Sequence, residues 1–80
     1  MKTIDVQFFA AYRDATGVER LSLEFAEETA EELFFELRKR FPDLERFPAA
    51  KVAINDELAT WSTAVSDGDH VLLFPPVAGG

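Results

Sequence analysis

The last residues of the chain have the clearest chemical potential. The sequence closes with Phe-Pro-Pro-Val-Ala-Gly-Gly, and Gly79 and Gly80 are two of its four glycines. At an average glycine usage of about 7%, two glycines would come last by chance in roughly 0.5% of chains. Because glycine has no Cβ, this segment would fit a channel too narrow for other residues. The group that it would deliver there is the α-carboxylate of Gly80.

A carboxylate is a poor electrophile and must be activated before it reacts, typically as an acyl-adenylate formed from ATP. A sulfur nucleophile then gives a thiocarboxylate, and an amine gives an amide; composition does not choose between these outcomes. A frayed tail without function is the other interpretation. Two observations argue against it: residues 75–80 follow an apolar run without a polar spacer, and six residues reach at most about 20 Å.

The rest of the chain offers little catalytic chemistry. It has no cysteine and one histidine, which excludes a thiolate nucleophile, a disulfide framework and a Cys-ligated zinc site. His70 stands beside a turn, a position more typical of a surface residue than of a general base. The glutamates at 27–28 and 31–32 suit a solvated helix start better than a metal site. We therefore predict no metal, no cofactor bound by this chain and no catalysis by this chain alone.

Charge limits the choice of partner. Eight Lys and Arg residues against 15 Asp and Glu residues give a formal net charge of −7. This balance argues against binding to nucleic acid or to an anionic membrane surface and favours a partner with a basic surface. The first residues do not form a signal peptide, and no stretch approaches the roughly 20 apolar residues that span a bilayer. A cytoplasmic location is therefore expected.

Alternating hydrophobicity predicts the elements that position the tail. Residues 3–9 and 19–25 alternate with period two and predict an antiparallel hairpin, joined by a connector that ends at Gly17. Phe9 is the exception, because it falls on the otherwise polar face of its strand. Short strands are predicted at 51–54 and, after a turn at 55–57, at 58–60.

One helix is predicted after the hairpin. Thr29 and Glu32 have the spacing of a capping box, and Pro42 disfavours helical geometry at the preceding residue. The helix presents a single apolar stripe at helical spacing, formed by Ala30, Leu33, Phe34, Leu37 and Phe41.

The last predicted strand, residues 70–74, is apolar on both faces, which is typical of a central strand. The order β-β-α-β-(β)-β predicts a two-layer α+β domain. With the last strand beside the first, this is the ubiquitin-like β-grasp class, a mixed sheet of four to five strands packed on one main helix, although the order alone does not exclude other α+β rolls. Its body would span residues 1–74 and an extended tail residues 75–80. Placing the last strand beside the first brings Phe9 near Phe74 on the outer face, which favours an interface there.

Four segments match a known family: Phe-Ala-Ala-Tyr-Arg-Asp at 9–14 with Gly17, Val-Ala-Ile-Asn at 52–55, Asp-Gly-Asp-His-Val at 67–71, and the end from 74 to 80. They resemble the small, sulfur-carrying subunit of molybdopterin synthase, the MoaD type. The final segment is the most specific. His70 stands where the family usually has Glu, which we interpret as a surface variation.

The resemblance implies a mechanism. A ubiquitin-activating-like adenylyltransferase would use ATP to adenylate Gly80, which would then become a thiocarboxylate. The tail, formed by Pro75, Pro76, Val77, Ala78 and Gly79, would insert into the large synthase subunit within a heterotetramer, and the sulfur would attack cyclic pyranopterin monophosphate. The resemblance also implies contacts with partners at Phe9, Arg13, Leu58 and Phe74.

Three alternatives stay open at this point. A thiamine-pathway sulfur carrier would share the fold and the tail chemistry. A ubiquitin-like protein modifier would use the same carboxylate to form an isopeptide bond with a lysine. A pure interaction module would have an inert tail.

Overall fold

A computed structural model describes residues 1–76 of the chain, and residues 77–80 lie outside the described part. Five strands form one mixed sheet in the order β2-β1-β5-β3-β4, in which β1 and β5 are parallel and the other neighbours are antiparallel. The predicted β-grasp architecture is confirmed. The elements are β1 (Lys2–Phe8), α1 (Ala11–Thr16), β2 (Arg20–Phe25), α2 (Ala30–Arg40), β3 (Lys51–Ile54), β4 (Glu57–Ala59) and β5 (His70–Phe74).

The central strand β5 was predicted from its apolar residues on both faces, and the structure confirms it between β1 and β3. Val71 and Leu73 are fully buried on the face toward α2. Leu72 and Phe74 point to the opposite face and are half-buried. The strand therefore contributes to the core with one side and to the outer surface with the other.

Helix α2 begins and ends where its sequence signals place it. The Thr29 side chain accepts a hydrogen bond from the Glu32 backbone N–H, and the Glu32 carboxylate accepts one from the Thr29 N–H, which completes the capping box. The helix ends at Arg40 with Phe41 as its C-cap, the residue at which Pro42 disfavours helical geometry. None of the helices described within residues 1–76 has the length and apolar character needed to cross a membrane.

The connector after β1 differs from the prediction because it folds into the short helix α1. A segment of six residues is too short to show helical periodicity, so the sequence pattern did not reveal it. Gly17 ends α1 in the left-handed conformation with φ of 76°, as a turn-type glycine should. Tyr12 in α1 is 1% exposed and anchors this helix to the core.

The turn between β3 and β4 is tighter than predicted. Asn55 and Asp56 both have positive φ, 52° and 70°, the combination that a two-residue hairpin turn of type I′ requires. Glu57 therefore begins β4, which runs over Glu57–Ala59 instead of the predicted 58–60. Asparagine and aspartate tolerate this conformation better than other side chains do.

Candidate functional site

The sheet face opposite α2 carries an apolar surface near the point where the tail leaves the body. Strand register places Leu72 of β5 beside Ala53 of β3, and Ala53 beside Leu58 of β4. Phe9 and Phe74 lie at the next position along the sheet. We call this surface the outer patch; it consists of Phe9, Ala53, Leu58, Leu72 and Phe74.

The two phenylalanines of the outer patch are in direct contact, as the parallel pairing of β1 and β5 predicted. Their ring centroids are 4.7 Å apart and the ring planes differ by 12°. The Phe9 backbone N–H also donates to the Leu73 carbonyl at 3.3 Å. Each ring covers part of the other, so both are half-buried. Stacking of this kind contributes about 0.5–1.5 kcal/mol beyond the buried area.

Leu58 is the most exposed member of the outer patch, with 77% of its surface accessible. It lies on β4, which is an edge strand of the described sheet and pairs there with β3 alone. Strand register links Leu58 to Leu72 through Ala53 on the same face of the sheet, and exposed apolar side chains grouped on one face are typical of a protein contact site. The role of Leu58 in partner binding remains a prediction.

Arg13 stands apart from the outer patch because it belongs to α1 and not to the sheet. Its guanidinium lies 3.6 Å from the Glu19 carboxylate, and both side chains are more than half exposed. Such a surface ion pair contributes little to stability. Arg13 is therefore free to exchange Glu19 for a partner, and its role as a contact stays a prediction.

The backbone on either side of Phe9 is held firmly. Ala10 has φ of 49° and ψ of −123°, a conformation that residues with a Cβ adopt at a cost. The Tyr12 N–H donates to the Phe9 carbonyl at 3.0 Å and closes a tight turn around Ala10. Tyr12 itself packs between the rings of Phe34 and Phe47. The Phe9 side chain is thus positioned by strand pairing before it and by a packed turn after it.

The tail begins as a rigid extension of β5. Pro75 is buried and Pro76 is exposed, and both lack a backbone N–H and have a fixed φ. Together with Ala11 and Phe47 they line a shallow apolar hollow. The predicted tail residues Val77, Ala78, Gly79 and Gly80 lie outside the described residues.

Elsewhere on the outer face, two polar side-chain pairs join neighbouring strands. Arg20 of β2 donates from Nε to the Asp5 carboxylate of β1 at 3.0 Å; this hydrogen bond and the positive charge hold the pKa of Asp5 below its ordinary value. His70 lies 3.0 Å from the Gln7 side-chain oxygen. None of these four residues belongs to the outer patch, where the apolar side chains of the described part of this face are gathered.

Sequence reasoning did not single out Leu72 and Ala53 as members of the site. The signal was present in the apolar outer face of the last strand, but a patch member on β3 follows only from the strand register. Within residues 1–76 no three acidic or histidine side chains converge as metal ligands. The described residues can thus offer a docking surface and a stiff origin for the tail.

The described strands form a mixed five-stranded sheet with the last strand at its centre, and one long helix crosses one face of this sheet. This architecture defines a ubiquitin-like β-grasp protein. The chain belongs to the ThiS family, whose model matches residues 6–80. It is 37% identical over 79 residues to the molybdopterin synthase sulfur carrier subunit of Arabidopsis thaliana, covering 96% of this chain and 82% of that protein. The predicted family resemblance is confirmed.

Solved structures agree with this assignment. The crystal structure of SAMP1 from Haloferax volcanii superposes with a TM-score of 0.84 at 25% identity, covering 98% of this chain and 99% of that one. In the complex of subunits 1 and 2 of the molybdopterin-converting factor from Helicobacter pylori, one chain superposes with a TM-score of 0.63 at 26% identity. That match covers 98% of this chain and 99% of the other.

Proposed function

We propose that this chain is a sulfur carrier in molybdenum cofactor biosynthesis that delivers a thiocarboxylate on Gly80. The observation that carries the proposal is the contact between Phe9 and Phe74 immediately before Pro75. A docking surface at that point fixes the origin of the tail, so a partner that binds the outer patch also receives the reactive end. The name of the Arabidopsis relative supports the choice of pathway.

The chemistry proceeds in three steps. An oxygen of the Gly80 carboxylate attacks the α-phosphate of ATP on an adenylyltransferase, which forms the acyl-adenylate and releases pyrophosphate. A sulfide-level sulfur nucleophile then displaces AMP and leaves the thiocarboxylate. Finally, this sulfur attacks a carbon of cyclic pyranopterin monophosphate, where the new C–S bond forms as a C–O bond breaks and the oxygen departs with its electron pair. Hydrolysis of the acyl–sulfur bond then returns the Gly80 carboxylate while the sulfur stays on the pterin.

Within this proposal the chain supplies the reacting atom and the docking surface, and the large synthase subunit supplies the catalytic groups. Phe9, Leu58 and Phe74 would contact the large subunit across the outer patch, and Arg13 would contact it from α1. The similarity to one chain of the Helicobacter pylori complex supports such a partner. Two carriers and two large subunits would form a heterotetramer in the cytoplasm, where ATP is available.

The test is the intact mass of the purified chain after incubation with ATP, a sulfide donor and the cognate adenylyltransferase. We expect a mass increase equal to the replacement of one oxygen by sulfur, and peptide mapping should place it on Gly80. A variant that lacks Gly80 is the control and should keep its original mass. An unmodified carboxylate in the wild-type chain under these conditions would overturn the proposal.

A protein modifier is the second candidate, and the similarity to SAMP1, a small archaeal modifier protein, favours it. In that case the activated Gly80 carboxylate would form an isopeptide bond with a lysine of another protein. Blots of cells that express a tagged chain would show a ladder of conjugates, which the variant without Gly80 should lack. A thiamine-pathway carrier would acquire the same sulfur but copurify with a different acceptor enzyme.

A further inference from the structure

The outward face of α2 carries an exposed aromatic side chain on the layer opposite the outer patch. Phe35 is 64% exposed, and within residues 1–76 it is the only aromatic residue in the exposed class. Hollows lie on both sides of its ring. One is lined by acids that include Glu31 and Glu32, and the other by Arg38 and Lys39. The ring therefore marks the boundary between an acidic and a basic half of one helix face.

The charges on this face are arranged symmetrically about Phe35. Glu31 and Glu32 precede it by four and three positions, and Arg38 and Lys39 follow it by three and four. Residues at these spacings lie on the same side of an α-helix. We call this set the α2 stripe; it consists of Glu31, Glu32, Phe35, Arg38 and Lys39. Reversing the direction of the helix exchanges the acidic half for the basic half.

We propose that the α2 stripe is a self-complementary interface through which two copies of this chain form a two-fold symmetric dimer. The two helices run antiparallel with the Phe35 rings packed at the symmetry axis. Glu31 then faces the partner's Arg38, and Glu32 faces the partner's Lys39. At a rise of about 1.5 Å per residue, these groups lie about 4.5–6 Å along the helix from the axis, close enough to pair. Each contact occurs twice, as a two-fold interface requires.

The charge pattern favours a second copy over a uniformly basic partner. A basic surface would attract Glu31 and Glu32 but would be repelled by Arg38 and Lys39. Only a surface with the reversed order of charges can pair with both the acidic and the basic half of the α2 stripe. The α2 helix of a second copy, packed antiparallel, is such a surface. The formal net charge of −7 on each chain opposes any broad contact, so the interface is confined to this locally balanced stripe.

The existing ion pairs on α2 do not prevent this contact. Arg46 lies 2.6 Å from one Glu31 oxygen, which leaves the other oxygen available. Lys39 lies 3.1 Å from Glu36 in an exposed pair, and such pairs exchange partners at little cost. One pair of short helices buries less than the roughly 800 Å² per partner of a standard interface, so the dimer is weak and reversible. It leaves the outer patch on the opposite layer free and does not depend on the proposed function.

Sedimentation equilibrium of the full chain tests the proposal. We expect a reversible monomer–dimer equilibrium when the concentration is raised to about 1 mM, a range suited to a small interface, in about 0.15 M salt. Phe35→Ala should weaken dimerisation at least about tenfold, because a central aromatic side chain dominates such contacts. It should not unfold the chain, since the ring is mostly exposed.

A charge exchange makes the test specific to the proposed pairing. Glu31→Lys alone and Arg38→Glu alone should each abolish dimerisation. Each substitution places two side chains of the same charge opposite each other at positions 31 and 38, and the symmetry of the dimer repeats this repulsion at a second place. An equimolar mixture of the two variants should dimerise again, since the new lysine of one faces the new glutamate of the other and the second pair is the native one.

Glu24→Lys on β2 and Arg40→Glu on the flank of α2 are matched controls, because they change the charge equally away from the α2 stripe. Both should dimerise like the wild type, and thermal unfolding should confirm that every variant is folded. A wild type that stays monomeric throughout overturns the proposal, as does a mixture that associates no better than either variant alone. Equal weakening by the two controls would also overturn it.

Discussion

The ring of Phe9 at the end of β1 lies almost parallel to the ring of Phe74 at the end of β5, with centroids 4.7 Å apart. This contact exists because β1 and β5 are parallel neighbours, so their carboxyl ends lie at the same edge of the sheet. The chain continues from Phe74 directly into Pro75. A partner that binds the stacked rings therefore holds the residue from which the tail extends.

Truncating Phe74 should separate docking from folding. We expect Phe74→Ala to weaken binding to the large synthase subunit by at least about 1 kcal/mol, because a stacked aromatic at an interface centre is a typical hot spot. The fold should survive, since the ring lies outside the core. Isothermal titration with the large subunit measures the affinity, and urea unfolding measures the stability.

Leu37→Ala is the matched core substitution. Leu37 belongs to α2 and its side chain is fully buried. The cavity left by its truncation should lower the free energy of unfolding by about 2–5 kcal/mol. The affinity of the folded chain for the large subunit should not change. The reverse result for Phe74→Ala, a loss of folding with unchanged partner affinity, would refute its docking role.

Leu58 should affect binding without affecting stability. Because its side chain is 77% exposed on an edge strand, Leu58→Ala should change the free energy of unfolding by no more than about 0.5 kcal/mol. If the outer patch binds the large subunit, the same substitution should weaken the complex several-fold. Val18→Ala, at a residue 37% exposed outside the patch, is the control for loss of exposed apolar area. Equal effects of the two substitutions on affinity would contradict the assigned patch.

Sequence periodicity was sufficient for the stacked pair and for α2. Phe9 broke a polar pattern and Phe74 ended a strand that was apolar on both faces, so topology alone placed them together. It was not sufficient for α1, because that helix owes its position to the burial of Tyr12 against Phe34 and Phe47. Those contacts are distant in sequence, and no local pattern encodes them.

Replacing Ala10 by glycine should stabilise the fold, because the turn at this residue has a strained backbone conformation. Ala10 has φ of 49° with ψ of −123°, where a Cβ is strained by about 1–3 kcal/mol, whereas glycine adopts this conformation freely. Ala10→Gly should therefore raise the free energy of unfolding by about 1 kcal/mol, even after the higher entropy of glycine in the unfolded chain is subtracted. Urea unfolding measures the change.

Ala11→Gly is the control for this prediction, because Ala11 is the first residue of α1 and is also exposed. With helical geometry at this position, glycine should lower the free energy of unfolding by up to about 1 kcal/mol. Two substitutions of the same kind at adjacent positions should thus have opposite signs. A destabilising Ala10→Gly would show that the turn is not strained.

The capping box predicts an acid-sensitive start of α2. Hydrogen bonds from the backbone N–H groups of Thr29 and Glu28 hold the pKa of Glu32 below its ordinary value. The ionised carboxylate thus contributes stability above the ordinary pKa of glutamate, and this contribution is lost as the pH falls through the lower pKa of the folded state. Thr29→Ala should cost about 1 kcal/mol at neutral pH, and Glu32→Gln should reduce the acid sensitivity. Urea unfolding of each variant between neutral and acidic pH measures both effects.

The buried phenol of Tyr12 should make the stability of the fold sensitive to alkaline pH. Its hydroxyl donates to the Glu45 carbonyl at 2.8 Å, and burial raises the pKa of this phenol above its ordinary value. The phenol of the unfolded chain therefore loses its proton first, at a pH of about 10. Below that pH the neutral phenol contributes its full stability, and this contribution is lost as the pH rises through the pKa of the folded state.

Tyr12 is the only tyrosine, so phenolate absorbance reports this one group. Tyr12→Phe should cost about 1 kcal/mol at neutral pH, and the gap between the two proteins should shrink above pH about 10. A gap that stays constant to high pH would mean that Tyr12 ionises equally in the folded and unfolded chains.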